Sequence, residues 1–353
     1  MVARPATGTR TASPGPHLRT PKEHGDDQHS DNPGKIPMTY TPPLSEELEP
    51  IKTPKSFWKR LGPKGGPSDW KAALVFLIPA GIGFAVFFVY PALRGIYLSF
   101  TDYSLLGRAK WVGLNNYTKL FQDDIFWNSL KVTGYYVVIN IVVQTIVALG
   151  LALLMDRVTK STFAKGVILL PYLIAPVVCA LLWFWMLDSQ LGIINQFLEF
   201  IGLSSQSWFG NPNLVIPTIA MVNVWKYMGY TALLIYAGLQ TIPRSLYEAA
   251  SLDGATGFAS FRRITLPLLR PVLVLVLITS MVGSFQVFDV VAVTSKGGPG
   301  NASRVIQLYI YDQAFGQSHF GYASAISVIL FLILIVIAVL QFRFLRGRES
   351  DLA

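Results

Sequence analysis

Apolar residues dominate six long stretches of the chain, at 70–90, 129–155, 163–187, 214–239, 271–293 and 322–344. Each is long enough to cross a bilayer as a helix, which takes roughly 20 residues. A segment in hydrocarbon must satisfy its own backbone hydrogen bonds, so the pattern predicts six transmembrane helices. A membrane β-barrel would instead alternate in segments of about ten residues. The predicted fold class is all-α, a polytopic membrane protein. Residues 1–65 have no such stretch and are rich in Pro, Gly, Ser, Thr and charge. They read as a disordered tail with no signal peptide. The membrane domain then covers 66–348, and 349–353 form a short C-terminal tail.

Composition agrees. The chain is 52% hydrophobic and 14% charged, against about 25% charged in soluble proteins. Its net charge of +9 does not point to nucleic acid, because most cations sit in the tail and in alternate loops; the fifth loop has only Lys296 and Arg304, and in the first Arg108, Lys110 and Lys119 are offset by Asp102, Asp123 and Asp124. Lys52, Lys55, Lys59, Arg60, Lys64 and Lys71 precede or open the first span. Arg157, Lys160 and Lys165 lie in the second loop, Arg244, Arg262, Arg263 and Arg270 in the fourth, and Arg343, Arg346 and Arg348 at the end. The third loop, 188–213, has neither Lys nor Arg. By the positive-inside rule both termini and the second and fourth loops are cytoplasmic. Trp183, Trp185 and Trp208 suit an outer aromatic belt or packing between helices. Pro79, Pro171, Pro176 and Pro217 within the spans mark either simple kinks or flexible elements. Cys179, the single cysteine, reads as a small buried apolar residue.

The fourth loop, 242–271, is the most informative segment. Ser245 followed by Glu248 reads as a capping box. A helix over 246–253 follows, with Gly254 as its stop and a second short helix over 258–264. Pro267 and Pro271 mark re-entry into the fifth span. On physics alone this is a capped helix lying on the cytoplasmic face. Its sequence is more specific. Glu248, Ala249, Ala250, Asp253, Gly254, Ala255, Phe261, Leu266, Pro267 and Pro271 resemble the EAA loop of importer permeases of the ATP-binding cassette (ABC) class. The likeness extends to 111–117 (Trp-Val-Gly-Leu-Asn-Asn-Tyr), 192–195 (Gly-Ile-Ile-Asn) and 296–299 (Lys-Gly-Gly-Pro). Together these resemble the MalF/UgpA-like subunits of carbohydrate importers, the carbohydrate uptake transporter-1 group. The chain lacks the two extra N-terminal helices and large outer insertion of the maltose permease, and is similar to shorter six-helix members.

The resemblance implies a type I importer (MetI-like) fold in the bacterial inner membrane. It implies a second, MalG-like permease subunit, an ABC ATPase dimer that binds ATP and Mg, an external or periplasmic sugar-binding protein, and a sugar as substrate. Glu248, Ala249, Ala250, Asp253, Gly254, Ala255, Phe261 and Pro267 would dock on the ATPase. The chain has no G-x-x-x-x-G-K-[ST] segment to cradle nucleotide phosphates, and neither catalytic residue, metal site nor cofactor is expected in it. Polar groups within spans are costly, so they are candidates for sugar contact. Those are Asn223, Lys226, Tyr227, Tyr230, Ser280, Ser284, Gln286 and Asp289. Ser280 and Ser284 equally suit close helix packing. Lys226 and Asp289 equally suit a pair across two spans. Asn140 and Gln144 suit hydrogen bonds between helices. Two alternatives are an importer of glycerol-3-phosphate or another polyol, and a stand-alone channel or secondary transporter. The latter leaves the EAA-like loop unexplained.

Overall fold

The computed structural model describes residues 69–346 except Leu106, Thr159 and Lys160; the tail predicted over 1–65 and the end at 349–353 lie outside the described residues. The chain opens with α1 (Asp69–Phe84), a wide π-type turn (Ala85–Val89) and α2 (Tyr90–Ser99). These form one continuous apolar rod, Leu74–Ser99. The wide turn lies just before Pro91, whose ring would otherwise clash with the preceding turn. No residue from Leu74 to Leu98 is buried, although the α2 half of the rod packs against the last helix of the chain.

A two-residue antiparallel pair, β1 (Thr101–Asp102) with β2 (Lys110–Trp111), leads into α3 (Asn115–Phe121). Asn116 holds this turn, its amide donating to the Ser99 and Thr101 carbonyls at 2.9 Å each. The second span is α4 (Asp124–Val158). The third differs from expectation. It is α5 (Thr162–Leu173) and α6 (Pro176–Met186), bent by 90° at the break. Pro176 has no N–H and disfavours helical geometry in the residue before it; Ile174 and Ala175 are extended, at ψ 133° and 138°. Next comes the short α7 (Ile193–Phe200), with Asn195 as an inner staple. Asn195 donates to the Asp188 and Gln206 carbonyls and accepts from the Trp208 indole at 3.0 Å. Trp183 packs edge-on to Trp225, so of the three tryptophans only Trp185 points freely outward.

The stretch predicted as the fourth span forms α8 (Val215–Leu239), 25 residues or about 38 Å long. Among the described residues four helices are apolar and long enough to cross a membrane, or five spans if the bent pair is one. α8 has the length but not the apolarity, because it carries Asn223, Lys226 and three tyrosines. It compensates by position. Fourteen of its residues are buried inside the bundle. α4 packs along it through Ala148, Ala152 and Ala232, small residues that let helices approach. Gly229 is required for the approach of α5: a side chain there would meet the Ile168 carbonyl oxygen at 2.0 Å.

The fourth loop forms α9 (Arg244–Leu252), α10 (Gly257–Ser260), a π-type turn (Phe261–Thr265) and α11 (Leu266–Leu268). The predicted capping box is not formed. Pro243 occupies the N-cap with no side-chain hydrogen bond, which starts the helix before Ser245 and leaves Ser245 inside its first turn. The second short helix begins at Gly257, capped by Thr256, and runs beyond 264. Gly254 does stop α9, at φ +75°. The fifth span is α12 (Arg270–Phe285) with α13 (Asp289–Val293). After a Gly-Gly-Pro turn come α14 (Ile306–Tyr311), a π-type turn (Asp312–Gly316) and α15 (Phe320–Arg346). Asp123 ties α14 and α15 to the start of α4. It accepts from the hydroxyls of Tyr309 and Tyr322 and from the amides of Ile125 and Phe126. Burial pushes its carboxyl up, but these four donors outweigh burial and hold it below the ordinary range.

Candidate functional site

A cavity of about 230 Å³ lies between α4, α5, α8, α12 and α13. All eight residues expected to offer sugar contacts line it: Asn223, Lys226, Tyr227, Tyr230, Ser280, Ser284, Gln286 and Asp289. Their convergence follows from helix periodicity. Asn223, Lys226, Tyr227 and Tyr230 are spaced three or four apart and share one face of α8, as Ser280 and Ser284 do on α12.

One wall is a hydrogen-bond network across three helices. Asn140 of α4 donates to Ser284 of α12 at 2.9 Å and to Gln144 at 3.2 Å. Asn223 of α8 donates back to Asn140 at 3.0 Å, and Gln144 donates to Thr231 of α8 at 2.9 Å. Asn140 and Gln144 thus make the inter-helix bonds expected of them, and they also line the cavity. The other wall is aromatic. Tyr172 stacks on Tyr230 with ring centres 4.6 Å apart and planes 13° apart, and meets Tyr227 edge-on at 5.8 Å.

Lys226 does not pair with Asp289. Its ammonium donates to the carbonyls of Tyr172, at 3.0 Å, and Ile174. In an unbroken helix residue 176 would donate to the Tyr172 carbonyl, but Pro176 has no N–H, so Lys226 fills the vacancy from another helix. The ion pair Arg304–Asp312, 2.8 Å, is the only one among the described residues. Sequence reasoning missed Tyr172 and Thr231. An aromatic between two prolines was the one available signal for Tyr172.

At the far end of α8 and α12 the loop residues form a second candidate surface. Glu248, Ala249, Asp253, Gly254, Ala255 and Pro267 are exposed, while Ala250 and Phe261 are half-buried. The Glu248 carboxylate has no partner among the described residues. Leu252, one helical turn on from Glu248, is 89% exposed, and Phe258 in the same loop is 73% exposed. α9 is fastened by Tyr247, whose hydroxyl bonds Thr265 at 2.9 Å. Neither residue was singled out from sequence.

Residues 132–349 match the family described as the binding-protein-dependent transport system inner membrane component. The chain is 34% identical over 284 residues to the sulfoquinovosyl glycerol transport system permease protein SmoG of Agrobacterium fabrum, covering 80% of this chain and 92% of that one. It is 31% identical over 282 residues to the trehalose/maltose transport system permease protein MalF of Thermococcus litoralis, covering 79% and 95%. Its fold is similar to that in the crystal structure of a bacterial ABC transporter involved in the import of the acidic polysaccharide alginate. That match has a TM-score of 0.71 at 24% identity, over 83% of this chain and 99% of that one.

Proposed function

We propose, for a chain that belongs to the binding-protein-dependent transport system inner membrane component family, that it is a permease subunit of an ATP-driven sugar importer. It forms half of the pore beside a second permease subunit. The observation that carries this is the convergence of polar and aromatic side chains from α5, α8, α12 and α13 on one cavity inside an apolar bundle. Asn, Ser and Gln side chains exchange hydrogen bonds with hydroxyls, and tyrosine faces suit the C–H faces of a sugar ring. The relatives named for transport of trehalose/maltose and sulfoquinovosyl glycerol support the same substrate class.

In this reading α8 is the fourth of six spans, and both termini face the cytoplasm, as the distribution of Lys and Arg supports. An external or periplasmic binding protein delivers the sugar. An ATPase dimer binds ATP and Mg and docks on 242–271 through Glu248, Ala249, Ala250, Asp253, Gly254, Ala255, Phe261 and Pro267. Apolar Leu252 and Phe258 in the same loop as the unpaired Glu248 suit such a partner. Purification through this subunit tests the proposal. The expected complex contains a second permease and an ATPase whose turnover rises with sugar and binding protein. A subunit that transports alone, without ATP, would overturn it.

A further inference from the structure

A sugar importer must still discriminate uncharged sugars from anionic ones such as uronates, sulfonates and phosphates. Two charged residues line the cavity, Lys226 and Asp289. They are not equally available. Lys226 is only 4% exposed. Two of its three donors are committed to the Tyr172 and Ile174 carbonyls, and the Tyr172 and Tyr227 rings lie 5.8 and 5.4 Å from the ammonium. An anion is left a single donor of Lys226, and drawing the ammonium away from the helix break to bind it more fully would leave two acceptors there without a donor, a costly arrangement in a buried site. Asp289 is the converse. It is exposed, and its carboxylate meets no donor among the described residues. Tyr230, which lines the same cavity, is 40% exposed beside its stack on Tyr172.

We infer that this cavity takes an uncharged, polyhydroxylated sugar and excludes anionic ones, and that Lys226 positions the break between α5 and α6 instead of binding substrate. The inference rests on the cavity being the sugar path. A free carboxylate is an acceptor only, matched to the hydroxyls of a neutral sugar, and it repels a second anion.

The test uses the complete importer in vesicles with excess binding protein. Uncharged probes are radiolabelled trehalose, maltose, lactose and raffinose. Anionic probes are digalacturonate, glucuronate and glycerol 3-phosphate. Uptake of at least one uncharged probe and of no anionic one is expected. Asp289→Asn, at an exposed side chain with no hydrogen-bond or ion-pair partner among the described residues, is expected to raise the half-saturating concentration at least tenfold. Lys226→Met is expected to lower the maximal rate at least fivefold and leave the half-saturating concentration within twofold, at equal subunit levels in the vesicles. Uptake of an anionic probe that Lys226→Met selectively abolishes would overturn the inference while leaving the cavity as a sugar path. An unchanged half-saturating concentration in Asp289→Asn would also overturn it. Uptake of none of the seven probes would overturn the sugar-importer reading itself.

Discussion

Replacing Gly254 in turn by Asn, Ala and Val grades a single cost at the end of α9. Gly254 sits at φ +75°, its amide bonding the Ser251 carbonyl at 3.1 Å while Ala255 bonds Ala250 at 2.9 Å. This is the paired closure that satisfies the last carbonyls of a helix. A side chain at Gly254 would meet nothing within 4 Å, so no neighbour has to yield. What remains is the left-handed backbone, which costs an L-residue about 1–2 kcal/mol, with asparagine at the low end. For β-branched valine the cost approaches about 3 kcal/mol. The native turn then loses a factor of about 5–30 in population with alanine, and more with valine. The surface that turns with it, Asp253 to Phe258, should lose its register on the ATPase in the same order. The assay is co-purification of the ATPase and sugar-stimulated ATP hydrolysis in vesicles. Both should fall from Gly through Asn and Ala to Val, at constant membrane levels of the subunit. Wild-type coupling in Gly254→Val, or equal loss in all three variants, would refute the reasoning.

Glu248→Ala removes a carboxylate with no partner among the described residues and no capping role, so thermal stability should stay within about 0.5 kcal/mol while ATPase co-purification drops; unchanged co-purification would return α9 to a plain surface helix. Gly229→Ala pushes a carbon into the Ile168 carbonyl and should destabilise the subunit by about 1–3 kcal/mol, read as a lower melting temperature in detergent. Acid should loosen the end of the bundle where α4 begins. Asp123 has its carboxyl held below the ordinary 3.8, so its contribution is complete above that value and is lost as pH falls through the lowered one. The melting temperature of Asp123→Asn should therefore be lower at neutral pH and approach wild type in strong acid; parallel curves would sink this account.

Helix identity was legible wherever apolarity alone decides it, as in α4 and α15. α8 was legible as one of the long apolar stretches, and its polar residues marked the cavity because buried polar groups need a reason. The break in the third span was not legible. Pro171 and Pro176 look alike in sequence, yet Pro171 lies within α5 while Pro176 ends it. The carbonyl freed by Pro176 is satisfied by Lys226, 50 residues away in sequence. For the same reason the partner of Lys226 could not be read from charge: a carboxylate was present, but two orphaned carbonyls were closer. The capping box failed locally. Ser245 and Glu248 fit the pattern, but Pro243 is pre-set at φ −61° and took the N-cap two residues earlier.

The broken span also predicts where motion is absorbed. α8 carries the cavity residues and ends at Leu239, and α9 begins at Arg244 after a short lead. A tilt imposed on α9 therefore reaches the cavity along a rigid helix. α5 should travel with α8, because Gly229 lies against the Ile168 backbone and Lys226 holds the last carbonyls of α5. α6 has different company. Cys179 and Ala180 are buried in the outer core with Val290 and Val291 of α13. The extended residues Ile174 and Ala175 are then the hinge, since two loop-like residues can absorb a change that helices cannot. Spin labels at exposed Val167 on α5, Val178 on α6 and Met221 on α8 measure this in the assembled importer with and without ATP. The Val167–Met221 distance should hold within about 2 Å while Val167–Val178 changes by more than that. A fixed Val167–Val178 distance during turnover, or a changing Val167–Met221 distance, would show that the bend is a static kink and that Lys226 holds nothing that moves.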